Sequence, residues 1–248
     1  MSTSIKYGLS KVFVLALSLL ILEGTVLSSY AAQINAKYLP AGAITIDGNL
    51  NDLAWSAVSF TTFATHPAAN DSSIAKVKLL WDENYLYVAF DVFDQKVETA
   101  DYCWNDDSVT CSLKAGNILS KNRMDIRGTG EGTSFRALRL KSGTSLDNNS
   151  DVDIGFTVEM KIPWASIGIV PAEGMSVSVD FLSVDHDNNP GGAYNAANTI
   201  FSKISWDGDN NPDTAQYVLY LEKPVFPTPV YKKLPDSNYV CDFYGFDP

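Results

Sequence analysis

The stretch Gly155-Phe156-Thr157-Val158-Glu159-Met160-Lys161-Ile162-Pro163-Trp164 sets Phe156, Val158, Met160 and Ile162 at alternate positions against Thr157, Glu159 and Lys161. Side chains of an extended chain point to opposite faces in turn, so a period of two describes a strand with one face in a core and one in water. On this reading Glu159 belongs to a solvated acidic face. Pro163 ends the ladder because it has no N–H to give, and it suits the first position of a short helical turn over Trp164–Ile167.

The same period recurs on both sides of this stretch. Leu86, Val88, Phe90 and Val92 alternate within Tyr85–Phe93, and further runs are Val77-Leu79-Trp81, Val109-Cys111-Leu113, Leu138-Leu140, Met175-Val177-Val179-Phe181 and Tyr217-Leu219-Leu221. Gly, Asn, Asp and Pro clusters separate them, as at Asp82-Glu83-Asn84, Asp147–Asp151 and Pro190-Gly191-Gly192. No long segment holds a 3.6-residue period, and Asn51–Val58, with Asp52 near its start, is the second short helical candidate. The pattern predicts an all-β chain, an antiparallel β-sandwich of immunoglobulin-like or jelly-roll-like type with one or two short helices.

Composition agrees with a packed domain. Of 248 residues, 46% are hydrophobic and 19% charged, which excludes a disordered or collagen-like chain. The 29 acidic residues outnumber 18 basic ones for a net charge of −11, so neither nucleic acid nor an anionic membrane surface is an expected partner. Much of this charge lies in Asp-rich turns and loops, which disfavour acidic ligands and suit neutral ones or calcium.

Lys6 and Lys11 precede the apolar run Val12–Leu22, and Ser29-Tyr30-Ala31 offers small residues at the −3 and −1 positions of a cleavage site. Glu23 and Gly24 interrupt the run short of the roughly 20 apolar residues that cross a bilayer. The expectation is a secretory signal peptide over residues 1–31, hence a secreted, periplasmic or extracellular protein with no membrane attachment after cleavage. Residues 32–222 are then the sandwich, expected as a monomer. Residues 223–248, with Pro224, Pro227, Pro229 and Pro235 and an aromatic end, are an extended C-terminal arm. Cys103, Cys111 and Cys241 allow one disulfide and a leftover thiol; Cys103 and Cys111 are nearest in sequence, but the pairing stays open, and the spacing is not that of a zinc site.

Several stretches in order resemble a known family. Ile44-Thr45-Ile46-Asp47-Gly48-Asn49-Leu50-Asn51-Asp52-Leu53-Ala54-Trp55 is similar to the opening of family 9 carbohydrate-binding modules and their DOMON-like relatives. Val77 to Val88 looks like their strand–turn–strand hairpin, Trp104-Asn105-Asp106-Asp107-Ser108-Val109 like their "W-x-x-DSVE" segment, and Gly155–Trp164 and Val179-Asp180-Phe181 follow at fitting distances. The resemblance covers about residues 41–222. Within these motifs Asp47-Gly48 reads as a turn, and Trp55, Trp81 and Trp164 read as core aromatics, Trp55 plugging the end of the sandwich.

What the resemblance implies for function centres on Trp104. In the family the tryptophan of this motif is one of two that sandwich a terminal sugar ring, and Arg127 stands at the place of an arginine that hydrogen-bonds the sugar. Asp106 of the same segment belongs to the polar rim, where hydroxyls find charged partners. The other reading of Trp104 is a residue covering a sheet edge beside Cys103. Thr110 replaces the family's glutamate, Leu182 stands nearest its glutamine, and the second tryptophan has no counterpart in Asn210–Ala215. Tyr194 is the candidate replacement ring; Trp206 reads better as core.

Two segments repeat an oxygen-rich pattern, Asp185-His186-Asp187-Asn188-Asn189-Pro190 and Asp207-Gly208-Asp209-Asn210-Asn211-Pro212. Asp185, Asp187, Asp207 and Asp209 are the candidate Ca²⁺ ligands, against the plain alternative of Asx-turns in loops. Neither segment is an EF-hand, because Pro stands where that loop requires Gly. No nucleophile motif, metalloprotease helix or phosphate loop is present, and no carboxylate pair is singled out for glycoside hydrolysis, so the chain is expected not to be an enzyme. The leading function is a secreted non-catalytic carbohydrate-binding protein, accessory to polysaccharide recognition or breakdown. The alternatives are a haem-binding DOMON-like domain, with His66 and Met175 as candidate ligands, and an adhesion or structural sandwich without sugar binding.

Overall fold

The computed structural model describes residues 33–67, 72–99, 106–148, 150–187, 200–205, 217–222, 230–233 and 239–242. The strands are β1 (Gln33–Tyr38), β2 (Thr61–Pro67), β3 (Ser72–Trp81), β4 (Tyr85–Phe93), β5 (Ser108–Ala115), β6 (Ile118–Asp125), β7 (Gly130–Glu131) and β8 (Phe135–Leu140). They continue with β9 (Phe156–Pro163), β10 (Ser176–Asp187), β11 (Ile200–Ser205), β12 (Tyr217–Leu221), β13 (Val230–Lys233) and β14 (Tyr239–Asp242). The two helical candidates are single 3₁₀ turns, Leu53–Ala57 and Trp164–Ile167.

One layer runs β7-β6-β5-β10-β12 and the other β3-β4-β9-β8, with β2 on β3 and β11 on β10. The strand β1 joins the layers: Gln33–Ala36 lie parallel to Val218–Leu221, and Lys37 and Tyr38 parallel to Leu80 and Trp81. The sandwich is therefore mixed rather than wholly antiparallel. A period of two carries no information on strand direction, so the sequence pattern does not show this corner.

The period of two supplies the core. Val109, Cys111, Leu113, Val177, Val179, Phe181 and Leu219 of one layer meet Val77, Leu79, Val88, Phe90, Val158, Met160 and Ile162 of the other, all buried. Phe63, Phe90 and Phe181 knit the layers with ring centroids 5.7–6.1 Å apart. Each such side chain contributes about 1.5–3 kcal/mol when withdrawn from water. Cys111 is a free thiol in this core, and burial pushes its ionisation far up. It takes no part in the bridge that the sequence left open; Cys103 lies outside the described residues.

A second apolar cluster, Leu39, Ile44, Trp55, Leu80, Tyr87 and Ala89, forms on the outer face of the β3-β4-β9-β8 layer beneath residues 39–58. Trp55 therefore lies under this segment instead of plugging the sandwich end. Glu159 is here too, and it is fully buried, which corrects its assignment to a solvated face. Its Oε2 accepts the backbone N–H groups of Asp47 (3.0 Å) and Gly48 (2.9 Å), and its Oε1 accepts the indole N–H of Trp55 at 2.8 Å. Three donors replace the water that burial removes. Gly48 has φ +80°, and a Cβ there would stand 2.8 Å from the carbonyl carbon of Leu138, so the turn needs glycine on both counts.

One further segment differs from the sequence reading. Asp185-His186-Asp187 is strand, not loop, because β10 runs on to Asp187 with Asp185 opposite Ser202 of β11. In the arm, Val230–Lys233 and Tyr239–Asp242 pair as an antiparallel ribbon; its prolines all fall outside these two strands.

Candidate functional site

Asp106 and Arg127 come together at one end of the β5–β6 hairpin. The Arg127 Nε donates to Asp106 Oδ2 at 2.6 Å and Nη2 donates to Oδ1 at 3.2 Å. The carboxylate is fully buried while 40% of the arginine side chain stays open to solvent. This two-pronged geometry fixes the plane of the guanidinium, and the adjacent carboxylate holds its pKa above the ordinary arginine value. The turn that carries Arg127 is itself pinned: Ile126 N donates to Asp107 O at 2.9 Å, and Asp125 O accepts Gly128 N at 3.0 Å. Trp104 and Tyr194, the two candidate stacking rings, lie outside the described residues.

The outer face of the same layer carries polar cross-strand rows. Leu182, Thr110 and Arg123 stand opposite one another, as do Asp180, Ser112 and Lys121, and Val184, Ser108 and Asp125. Arg123 was missed by sequence reasoning, although counting back from buried Met124 places it outward beside Thr110. It is buried, with Nε donating to Ser108 Oγ at 3.3 Å and Nη1 to Asp125 Oδ2 at 3.0 Å. Asp125 in turn accepts the Thr129 N–H at 2.9 Å, so Arg123 acts as a brace for the turn that positions Arg127.

A buried group of carboxylates lies at the end of β10. Asp94, Asp185 and Asp187 are all buried and each offers an oxygen within 4.8 Å of the others. Asp107 lies against them: its Oδ1 accepts the His186 N–H at 2.7 Å and its Oδ2 the Glu98 N–H at 2.7 Å. Burial, then the charges of Asp94 and Asp185, push the Asp107 carboxyl well above the usual carboxylate range. Hard oxygen donors packed this closely match what Ca²⁺ takes, so the residues fit a divalent cation. Asp185 and Asp187 are thus brought together as candidate ligands, joined by Asp94, which the sequence reading did not select. Asp207 and Asp209 lie outside the described residues.

The two-layer sandwich thus carries, at the rim of one layer, an arginine oriented by a buried carboxylate. The family profile described as "Carbohydrate family 9 binding domain-like" matches residues 46–217, and the chain belongs to that family. It is 29% identical over 179 residues to Exoglucanase XynX of Acetivibrio thermocellus, a match taking 66% of this chain and 15% of the relative. Endo-1,4-beta-xylanase A of Thermoanaerobacterium saccharolyticum is 27% identical over 181 residues, 67% of this chain and 14% of that one. The chain thus corresponds to a small part of each enzyme's length. Two structures of a carbohydrate binding module family 9 from Caldicellulosiruptor kristjanssonii, in complex with cellotriose and with glucose, superpose with a TM-score of 0.58 at 18% identity. They cover 78% and 79% of this chain and 95% and 99% of their own.

Proposed function

We propose that this chain is a secreted, non-catalytic carbohydrate-binding protein that recognises β-linked gluco- or xylo-oligosaccharide ends, accessory to polysaccharide recognition or breakdown. The observation that carries the reading is the Asp106–Arg127 fork, an exposed guanidinium held in one plane by a buried carboxylate, two residues along the chain from Trp104. A sugar ring stacks its C–H face on the indole while the oriented N–H edge of Arg127 donates to ring hydroxyls. The cellotriose and glucose bound by the structural relatives support the ligand class, and the match to only 15% and 14% of the length of an exoglucanase and a xylanase supports an accessory role. The reading includes a structural Ca²⁺ held by Asp94, Asp185 and Asp187, whose part is to neutralise the buried charge at the end of β10. An oligosaccharide array probed with and without Ca²⁺ tests both parts. Binding confined to β-linked glucan or xylan chains supports the reading; no binding to any glycan contradicts it.

A further inference from the structure

On the opposite layer, the covering segment 39–58 leaves one corner of the outer sheet face open. Its hydrogen bonds reach Glu159, but two residues further along β9 stands Lys161, with Phe135 of β8 and Tyr87 of β4 on either side. Phe135 is 58% exposed, an unusual position for a large ring that heads a strand. The half-buried Tyr85 meets it edge-on with centroids 6.5 Å apart, and the Lys161 ammonium lies 4.9 Å from the centroid of each ring. Among the described residues no carboxylate lies within ion-pairing distance of Lys161. Outward positions of this layer also carry Lys76, Lys78 and Arg139; of its carboxylates Glu159 is buried and Asp91 is engaged by Lys141 at 2.6 Å, while Asp47 and Asp52 belong to the covering segment and Glu83 to the β3–β4 turn.

We propose that Phe135, Tyr85 and Lys161 form a second sugar contact, for an acidic pyranose, a uronic acid borne on a polysaccharide chain. The open ring of Phe135 takes the C–H face of the sugar. The ammonium, set beside the ring by its contacts with both aromatics, meets the carboxylate at C6. A neutral sugar uses the ring alone. This contact rests on the carbohydrate-binding reading but lies on the other layer from Arg127, so it gives the module a second point of attachment to a decorated chain.

The test is calorimetric titration of the full chain with a linear xylo-oligosaccharide and with the same oligosaccharide carrying one glucuronic acid branch. Wild type, Phe135→Ala, Phe135→Tyr and Lys161→Gln are compared, with the melting temperature of each as a check on folding. The expected result is an affinity about tenfold higher for the branched sugar. Lys161→Gln and Phe135→Ala remove that preference, Phe135→Tyr keeps it, and added salt weakens it. A wild type that binds both sugars equally, or a preference that survives both Lys161→Gln and Phe135→Ala, overturns the second contact alone. Failure to bind either sugar overturns the second contact; if cello-oligosaccharides also fail to bind, the carbohydrate-binding reading falls with it. Self-association in sedimentation that Phe135→Ala abolishes assigns the patch to a second copy of the chain and likewise overturns it.

Discussion

The indole N–H of Trp55 donates to Glu159 Oε1 at 2.8 Å, across 104 positions of sequence. The bond ties the tryptophan of one family motif to the centre of another, with the N–H groups of Asp47 and Gly48 on the second oxygen of the same carboxylate. One buried acid thus anchors the segment 39–58 to the sheet. Glu159→Ala leaves those three donors with no acceptor under an apolar cover, a loss of about 3 kcal/mol. For a chain of this size the melting temperature falls by about 6–12 °C. Differential scanning calorimetry measures the loss.

The same carboxylate makes stability depend on pH. Burial, set against its three hydrogen bonds, holds the Glu159 pKa above the ordinary glutamate value. The folded state then binds this proton more readily than the unfolded state. Its contribution is fully present below the ordinary glutamate pKa and is lost as pH rises through the folded value. Urea unfolding of wild type and Glu159→Gln across acid to neutral pH is expected to show wild type losing ground to the variant as pH rises. Parallel pH profiles would contradict this.

Gly48→Ala combines a φ of +80° with a Cβ only 2.8 Å from the Leu138 backbone. An expected cost of about 1–3 kcal/mol follows from the left-handed conformation alone, with the close approach added to it. Chemical denaturation is the measurement. A substitution at Gly42, where φ is +86° and nothing lies within 4 Å of a Cβ, is the control for conformation without crowding.

The legible part of the fold was the part governed by period two. The core strands, the turn at Asp47-Gly48 and both short helical turns could be read because each depends on neighbours close in sequence. The parallel corner at β1 and the burial of Glu159 could not, since each depends on a segment folding back from far along the chain. At the site, Asp106 and Arg127 were legible through a motif, but their mutual bond was not. Asp94 was not legible as a partner of Asp185 and Asp187, because 91 positions separate it from Asp185 and only the sheet brings them together. The Asx-turn alternative for Asp185 and Asp187 failed because turn-forming composition says nothing of a ladder partner such as Ser202.

Removal of divalent cations tests the buried carboxylate group. With Asp94, Asp185 and Asp187 holding Ca²⁺, saturation at a hundredfold excess over the dissociation constant stabilises the fold by about 2.7 kcal/mol. Chelation is expected to lower the melting temperature and Ca²⁺ to restore it, with Asp94→Asn abolishing the response. A melting temperature indifferent to chelator and Ca²⁺ would refute the site.

Asp106→Asn keeps the shape of the side chain but removes the charge that orients Arg127. Sugar affinity is expected to fall about tenfold, comparable to the loss in Arg127→Ala, because the guanidinium is no longer held in one plane. A double-mutant cycle between the two positions measures the coupling; additive losses would contradict a shared role.

The most direct measurement is titration of the folded chain with cello-oligosaccharides while tryptophan fluorescence is followed, comparing wild type with Trp104→Ala and Arg127→Ala. The account predicts saturable binding by wild type, loss of binding in Trp104→Ala with its melting temperature unchanged, and about tenfold weaker binding in Arg127→Ala, whose melting temperature falls because the buried Asp106 carboxylate loses its partner. Undiminished binding by a folded Trp104→Ala and Arg127→Ala double variant would contradict it.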